Sequence, residues 1–268
     1  MGSLIAFFLI TFAIAWACFI PVAANLIPYH SPQGGAVILI GVFAPSISAL
    51  LLTARAEGRR GVRELVSGIG RWRVAGRWYV FAATYVIVVK LIVAVVHRVI
   101  SGTWHFGTLP LYVIPFAIAI STPVQAGEEL GWRGYALPRM ALGMGLGPAS
   151  VLLGVIWALW HLPLFFLRDA DTYGQSFFHY TLQVAALSVT LAWLYAKTGR
   201  SLLLCMLLHA AVNNSKDIVP SVTPGAMNTF TLRASLVAWL TVAVLWVFAI
   251  LFLARMPALE PRRPERSP

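Results

Sequence analysis

The stretch LPLYVIPFAIAISTPVQAGEELGWRGYALPRM, residues 109–140, decides how this chain folds. It carries no charge from Leu109 to Gly127, then places Glu128, Glu129 and Arg133 in quick succession before Arg139. A helix needs about 20 apolar residues to cross ~30 Å of hydrocarbon. The stretch is therefore long enough to enter a bilayer and take its carboxylates with it. The rest of the chain shares the habit: of 268 residues, 59% are hydrophobic and 11% charged, and the mean hydropathy is +0.81. A soluble domain carries about 25% charged residues. The composition defines an integral membrane protein with room for about eight helices and excludes a sizeable soluble domain.

Outward from this stretch, further apolar runs occupy residues 3–27, 35–54, 78–100, 148–167, 177–197, 201–217 and 231–254. With 109–140 they make eight. The first run lacks a basic flank and exceeds the 7–15 residues of a signal-peptide core, so it reads as a retained span. The fold class is all-α: a polytopic membrane protein of about eight transmembrane helices enclosing a polar cavity, with residues 1–254 as one transmembrane domain. Residues 255–268, rich in proline and arginine, read as a disordered cytoplasmic tail.

The formal net charge of +11 is not a nucleic-acid footprint, because the basic residues sit in short connections beside apolar runs. Arg55, Arg59, Arg60, Arg63, Arg71, Arg73 and Arg77 crowd the link between the second and third runs, whose mixture of arginine, tryptophan and aliphatics suits the headgroup region. Alternation puts Arg139, Lys197, Arg200 and the tail on that same side, and leaves Arg98, Arg168, Lys216 and Arg233 opposite. The positive-inside rule then places both termini in the cytoplasm, in a multi-pass protein of the cell membrane. Cys18 and Cys205 lie inside apolar runs and make neither a disulfide framework nor a cysteine-rich zinc site. The glycines of GMGLGP, residues 143–148, lack the lysine of a phosphate loop and read as a turn between helices.

An ionisable group inside a membrane helix costs at least ~2.5 kcal/mol, so each one asks for a partner and a purpose. The candidates are Glu128, Glu129 and Arg133; His161 in IWALWHLPLFF; His209 with Asn213 in LLLCMLLHAAVNN; and Lys90, which gains no partner from the sequence. Glu129 and Arg133 are four apart and share a helix face, so they pair; Glu128 points about 100° away, toward Gln125 and Trp132, and seeks another helix. His209 and Asn213, also four apart, face one neighbour. Pro163 is expected to loosen the helix beside His161 by denying Leu159 its hydrogen bond. At 1.5 Å per residue from the cytoplasmic ends, Glu128, His161, His209 and Asn213 lie about 18, 20, 14 and 20 Å deep. Three helices thus bring a carboxylate, two imidazoles and an amide to a common level. The plainer alternative is that each is satisfied separately as helix glue.

The series EELGWR, WALWH and HAAVN resembles the three motifs of the CPBP family of intramembrane proteases, which includes the type II CAAX prenyl endopeptidases: Glu-Glu-x-x-x-Arg, Phe-x-x-x-His, and His-x-x-x-Asn or Asp. The likeness covers about residues 109–217. Trp157 stands where the family usually has phenylalanine, a change expected to alter packing more than chemistry. The resemblance implies an intramembrane endopeptidase in which Glu128 and His161 activate a water, His209 and Asn213 form the oxyanion site, and Glu129 and Arg133 support the first motif. No cofactor is favoured, since asparagine suits a hydrogen-bond donor better than a zinc ligand; a zinc site of Glu128, His161 and His209 is the alternative. The implied partners are a peptide or protein substrate, membrane-associated or lipidated, and membrane lipids, with no nucleic acid. A rival reading is a non-proteolytic immunity or scaffold protein, or a proton-coupled transporter, built on the same fold.

Overall fold

A helix closes its backbone hydrogen bonds within itself, the one way an open chain can enter hydrocarbon without orphaning its amides. The apolar runs obey this. The computed structural model describes residues 2–108, 110–221 and 229–259, and among them there is helix and no strand. The helices are α1 (Gly2–Ala23), α2 (Pro32–Ser67), α3 (Gly76–Ser101), α4 (Val113–Ser121), α5 (Ala126–Glu129), α6 (Leu137–Met144), α7 (Leu146–Trp160), α8 (Phe177–Lys197), α9 (Leu202–Ser215) and α10 (Leu236–Ala254). Serine side chains start four of them: Ser31, Ser176, Ser201 and Ser235 accept from the amides of Gly34, His179, Leu204 and Ala238. Such caps satisfy one of the donors every helix start leaves open.

Among the described residues, α1, α2, α3, α8 and α10 are long and apolar enough to cross a membrane by length and composition. The eight apolar runs correspond to eight rods because α4, α5 and α6 join end to end. The joints are a 3-10 turn at Thr122–Gln125, opened by Pro123, and a π segment at Leu130–Ala136. Packing runs α1 on α2, α7 on α8, and α10 between α8 and α3, while α9 lies against α3, α4 and α8. Close approach fixes two of these contacts. A side chain at Gly131 would lie 2.5 Å from the backbone of Pro45 in α2, and one at Gly154 2.5 Å from Ala185 Cα in α8. Ser46 adds a hydrogen bond of 2.6 Å to the carbonyl of Ala126. Thus α2 is pinned along the rod that carries the glutamates.

Five expectations change. The second helix does not stop near residue 54 but continues to Ser67, breaking at Gly58 (φ 62°, ψ −158°), so much of the arginine-rich link is helical. The break needs glycine because that φ is strained for other residues. Pro163 does not kink a continuous span; α7 ends at Trp160, His161 caps it, and Leu162–Phe166 continue as 3-10 helix, because without a proline N–H the α ladder cannot proceed. The first motif is not a regular α-helix, as its 3-10 and π joints show. Lys90 gains partners, donating to the Val219 carbonyl (3.1 Å) and Ser221 Oγ (3.2 Å). The glycine turn narrows to a single residue, Gly145 at φ 80°, between α6 and α7. Of the tail read as disordered, residues 260–268 lie outside the described residues.

Candidate active site

Antiparallel packing of the glutamate rod against α9 builds the site. His209 meets Glu129, Asn213 meets Gln125, and Asn214 meets Ser121, so contacts climb one rod as they descend the other. Glu129 is fully buried and binds two partners through one oxygen: its Oε1 accepts from Arg133 Nη1 at 2.9 Å and from His209 Nδ1 at 2.8 Å. Arg133 is equally buried and lays its guanidinium over the Trp157 ring, 4.3 Å from the centroid. The expected ion pair is therefore present, and it also orients the imidazole of His209, a link the sequence reading missed.

Glu128, 6% exposed, takes its partner from α7, across the bundle. Its Oε2 accepts the indole N–H of Trp157 at 2.7 Å. Its Oε1 faces His209 Nε2 at 4.0 Å, too long for a direct hydrogen bond. His161 reaches the same neighbourhood by a different anchor: its Nδ1 bonds the Trp157 carbonyl at 2.9 Å. A carbonyl only accepts, so Nδ1 carries the proton and Nε2 is left with its lone pair. The ring of His161 is boxed edge-to-face by Trp160 at 4.6 Å and Tyr180 at 5.5 Å.

The structure thus links Glu129, Arg133 and His209 by direct hydrogen bonds, sets Glu128 4.0 Å from His209, and ties both Glu128 and His161 to Trp157. Asn213 enters less closely: its amide reaches Gln125 Oε1 at 3.5 Å, one turn before Glu128. Trp157 corrects an expectation. Its side chain does more than pack: the indole N–H, which phenylalanine lacks, donates to the Glu128 carboxylate. A clue lay in the sequence: a tryptophan buried among apolar helices has an N–H that usually finds an acceptor. The zinc alternative can be tested against the donor set. Among the described residues no three histidine, cysteine or acidic side chains converge as a metal-ion cradle. Glu128 Oε2 already accepts from the Trp157 indole.

An all-helical membrane protein with a carboxylate–imidazole cluster buried where its rods meet is the class that fold and site define. Within it, residues 108–215 match the family described as type II CAAX prenyl endopeptidase Rce1-like. The chain is also 22% identical over 232 residues to CAAX prenyl protease 2 of Methanococcus maripaludis, covering 80% of this chain and 83% of that protein. Residues 108–215 thus match the Rce1-like family model, and the likeness to a CAAX-type protease extends through most of the chain.

Proposed function

We propose that this protein is an intramembrane endopeptidase in which Glu128 activates water to hydrolyse a peptide bond. The observation that carries the reading is the state of Glu128: buried, with Arg133 of its own rod paired to Glu129 instead, one oxygen held by Trp157 and the other 4.0 Å from an imidazole nitrogen. A water bonded at about 2.8 Å to both Glu128 Oε1 and His209 Nε2 fits that separation. His161 Nε2 offers the second acceptor that aims the water. As the water oxygen attacks the scissile carbonyl carbon, Glu128 takes its proton and later returns it to the leaving amine. His209, donating from Nε2 when both ring nitrogens carry protons, and the Asn213 amide bind the oxyanion, each contributing about 3–4 kcal/mol by analogy with soluble proteases. Glu129 and Arg133 hold His209 in place. In this reading no metal takes part.

The substrate is a peptide or protein presented at the membrane. The name of the methanogen relative makes a prenylated carboxy-terminal peptide the first probe, and unlipidated transmembrane peptides the second. In this reading the arginine-rich link faces the cytoplasm and substrate reaches the site from that side. The test uses purified protein in detergent with a farnesylated CAAX-type peptide and, in parallel, comparative proteomics of membranes carrying wild type or Glu128→Ala. Substrates cleaved by wild type and left whole by Glu128→Ala and His161→Ala, both still folded, are the expected result. A Glu128→Ala protein that processes the same substrates at the wild-type rate would overturn the reading. Proton-coupled transport without cleavage would replace it with the rival one.

A further inference from the structure

Trp157 touches each part of the cluster in a different way. Its indole N–H donates to Glu128 Oε2 at 2.7 Å, and its backbone carbonyl accepts from His161 Nδ1 at 2.9 Å. Its face carries the Arg133 guanidinium at 4.3 Å, and the His209 ring meets it edge-to-face at 5.1 Å. The side chain is only 4% exposed, so water does not compete for these bonds at the surface. The backbone carbonyl would serve His161 whatever the side chain. The N–H would not.

We propose that Trp157 is a positioning residue whose indole N–H fixes the rotamer of Glu128 and selects Oε1 as the oxygen that works on water. The inference rests on the hydrolytic reading of Glu128 above. A carboxylate has two oxygens and a rotatable torsion, so an unanchored Glu128 would share its time between orientations. With Oε2 held by a charge-assisted bond from α7, Oε1 alone is presented toward His209 Nε2. The same contact couples two rods, since the donor rides on α7 and the acceptor on α5. In relatives with phenylalanine at this position the carboxylate must be oriented by something else. Trp157 thus marks a local solution of this chain.

The test replaces Trp157 by benzothienylalanine, which keeps the bicyclic ring and exchanges N–H for sulfur, beside Trp157→Phe and Glu128→Gln. With a farnesylated CAAX-type peptide, or whichever substrate the proteomics yields, the isostere should lower kcat about 10- to 100-fold, the range for losing a hydrogen bond to a charged group. KM and thermal stability should stay at wild-type values, because ring packing is kept. Indole 15N-labelled protein gives a readout independent of turnover: the Trp157 resonance, identified by its loss in Trp157→Phe, should move in Glu128→Gln. An isostere with full kcat, or an indole signal indifferent to Glu128→Gln, overturns the proposal. If Glu128→Gln itself turns over normally, the hydrolytic reading falls instead, and the two failures are told apart.

Discussion

Glu129→Ala should be among the most damaging substitutions in the chain, although in the proposed mechanism Glu129 never meets the substrate. Arg133 and Glu129 are both 0% exposed, and Glu129 Oε1 is the acceptor for Arg133 Nη1. Among the described residues Arg133 Nε and Nη2 have no hydrogen-bond partner, so the remaining compensation is the Trp157 ring 4.3 Å away. A desolvated cation–π contact contributes about 2 kcal/mol. Stranding one member of a buried ion pair costs about 3–5 kcal/mol. The carboxylate cannot be replaced by the ring, and the unfolded fraction should rise by roughly two to four orders of magnitude at 1.4 kcal/mol per tenfold. Native-state proteolysis in detergent, reading cleavage rate against protease concentration, measures that fraction. Replacing both partners by apolar residues of similar volume, Glu129→Leu with Arg133→Met, should recover most of the loss, since well-packed apolar pairs often match buried ion pairs. The double variant should stay inactive, because His209 has lost the acceptor at 2.8 Å that orients it. Wild-type protease resistance in Glu129→Ala would refute this reasoning.

Other outcomes follow from the same contacts. Asn213→Ala should reduce kcat by about 100-fold or more with KM little changed, the signature of a donor used only by the oxyanion, and steady-state kinetics reads the split. Lys90→Met should leave turnover at the wild-type level, because its ammonium is held by Val219 and Ser221 outside the cluster; the same kinetics checks it. Gly154→Ala should lower thermal stability by about 1–3 kcal/mol, since the new methyl meets the α8 backbone at Ala185 Cα, where no side chain can swing aside. Ser46→Ala should cost about 1 kcal/mol by removing the hydrogen bond to Ala126 that ties α2 to the glutamate rod, measured by the same unfolding assay.

The architecture was largely legible because hydrophobic length is a strong signal in a membrane chain. The run at 177–197 coincides with α8, Phe177–Lys197. What periodicity could not reveal is where a helix changes type. The pairing of Glu129 with Arg133 was read from a regular helix, yet the residues between them lie in a π segment, where Gly131 lets α2 approach closely. The end of α7 was read as a kink because Pro163 announces a lost hydrogen bond but not whether the chain continues in line. Partners across rods were the harder problem. Nothing in the sequence tells that the indole four residues before His161 reaches Glu128, or that Glu129 serves both Arg133 and His209; those contacts depend on rotation and register between rods. Helix spacing did give the shared face of His209 and Asn213, which the antiparallel contacts with Glu129 and Gln125 bear out.

The central claim is that Glu128 turns water into the nucleophile without help from a metal. The direct measurement is cleavage of the farnesylated peptide in 18O-labelled water after exhaustive chelation, with mass spectrometry of the products, for wild type and Glu128→Gln side by side. The account predicts one heavy oxygen in the new carboxylate from wild type, at an undiminished rate, and no product from Glu128→Gln. Labelled product from Glu128→Gln, or wild-type turnover that stops on chelation and returns with added zinc, would contradict it.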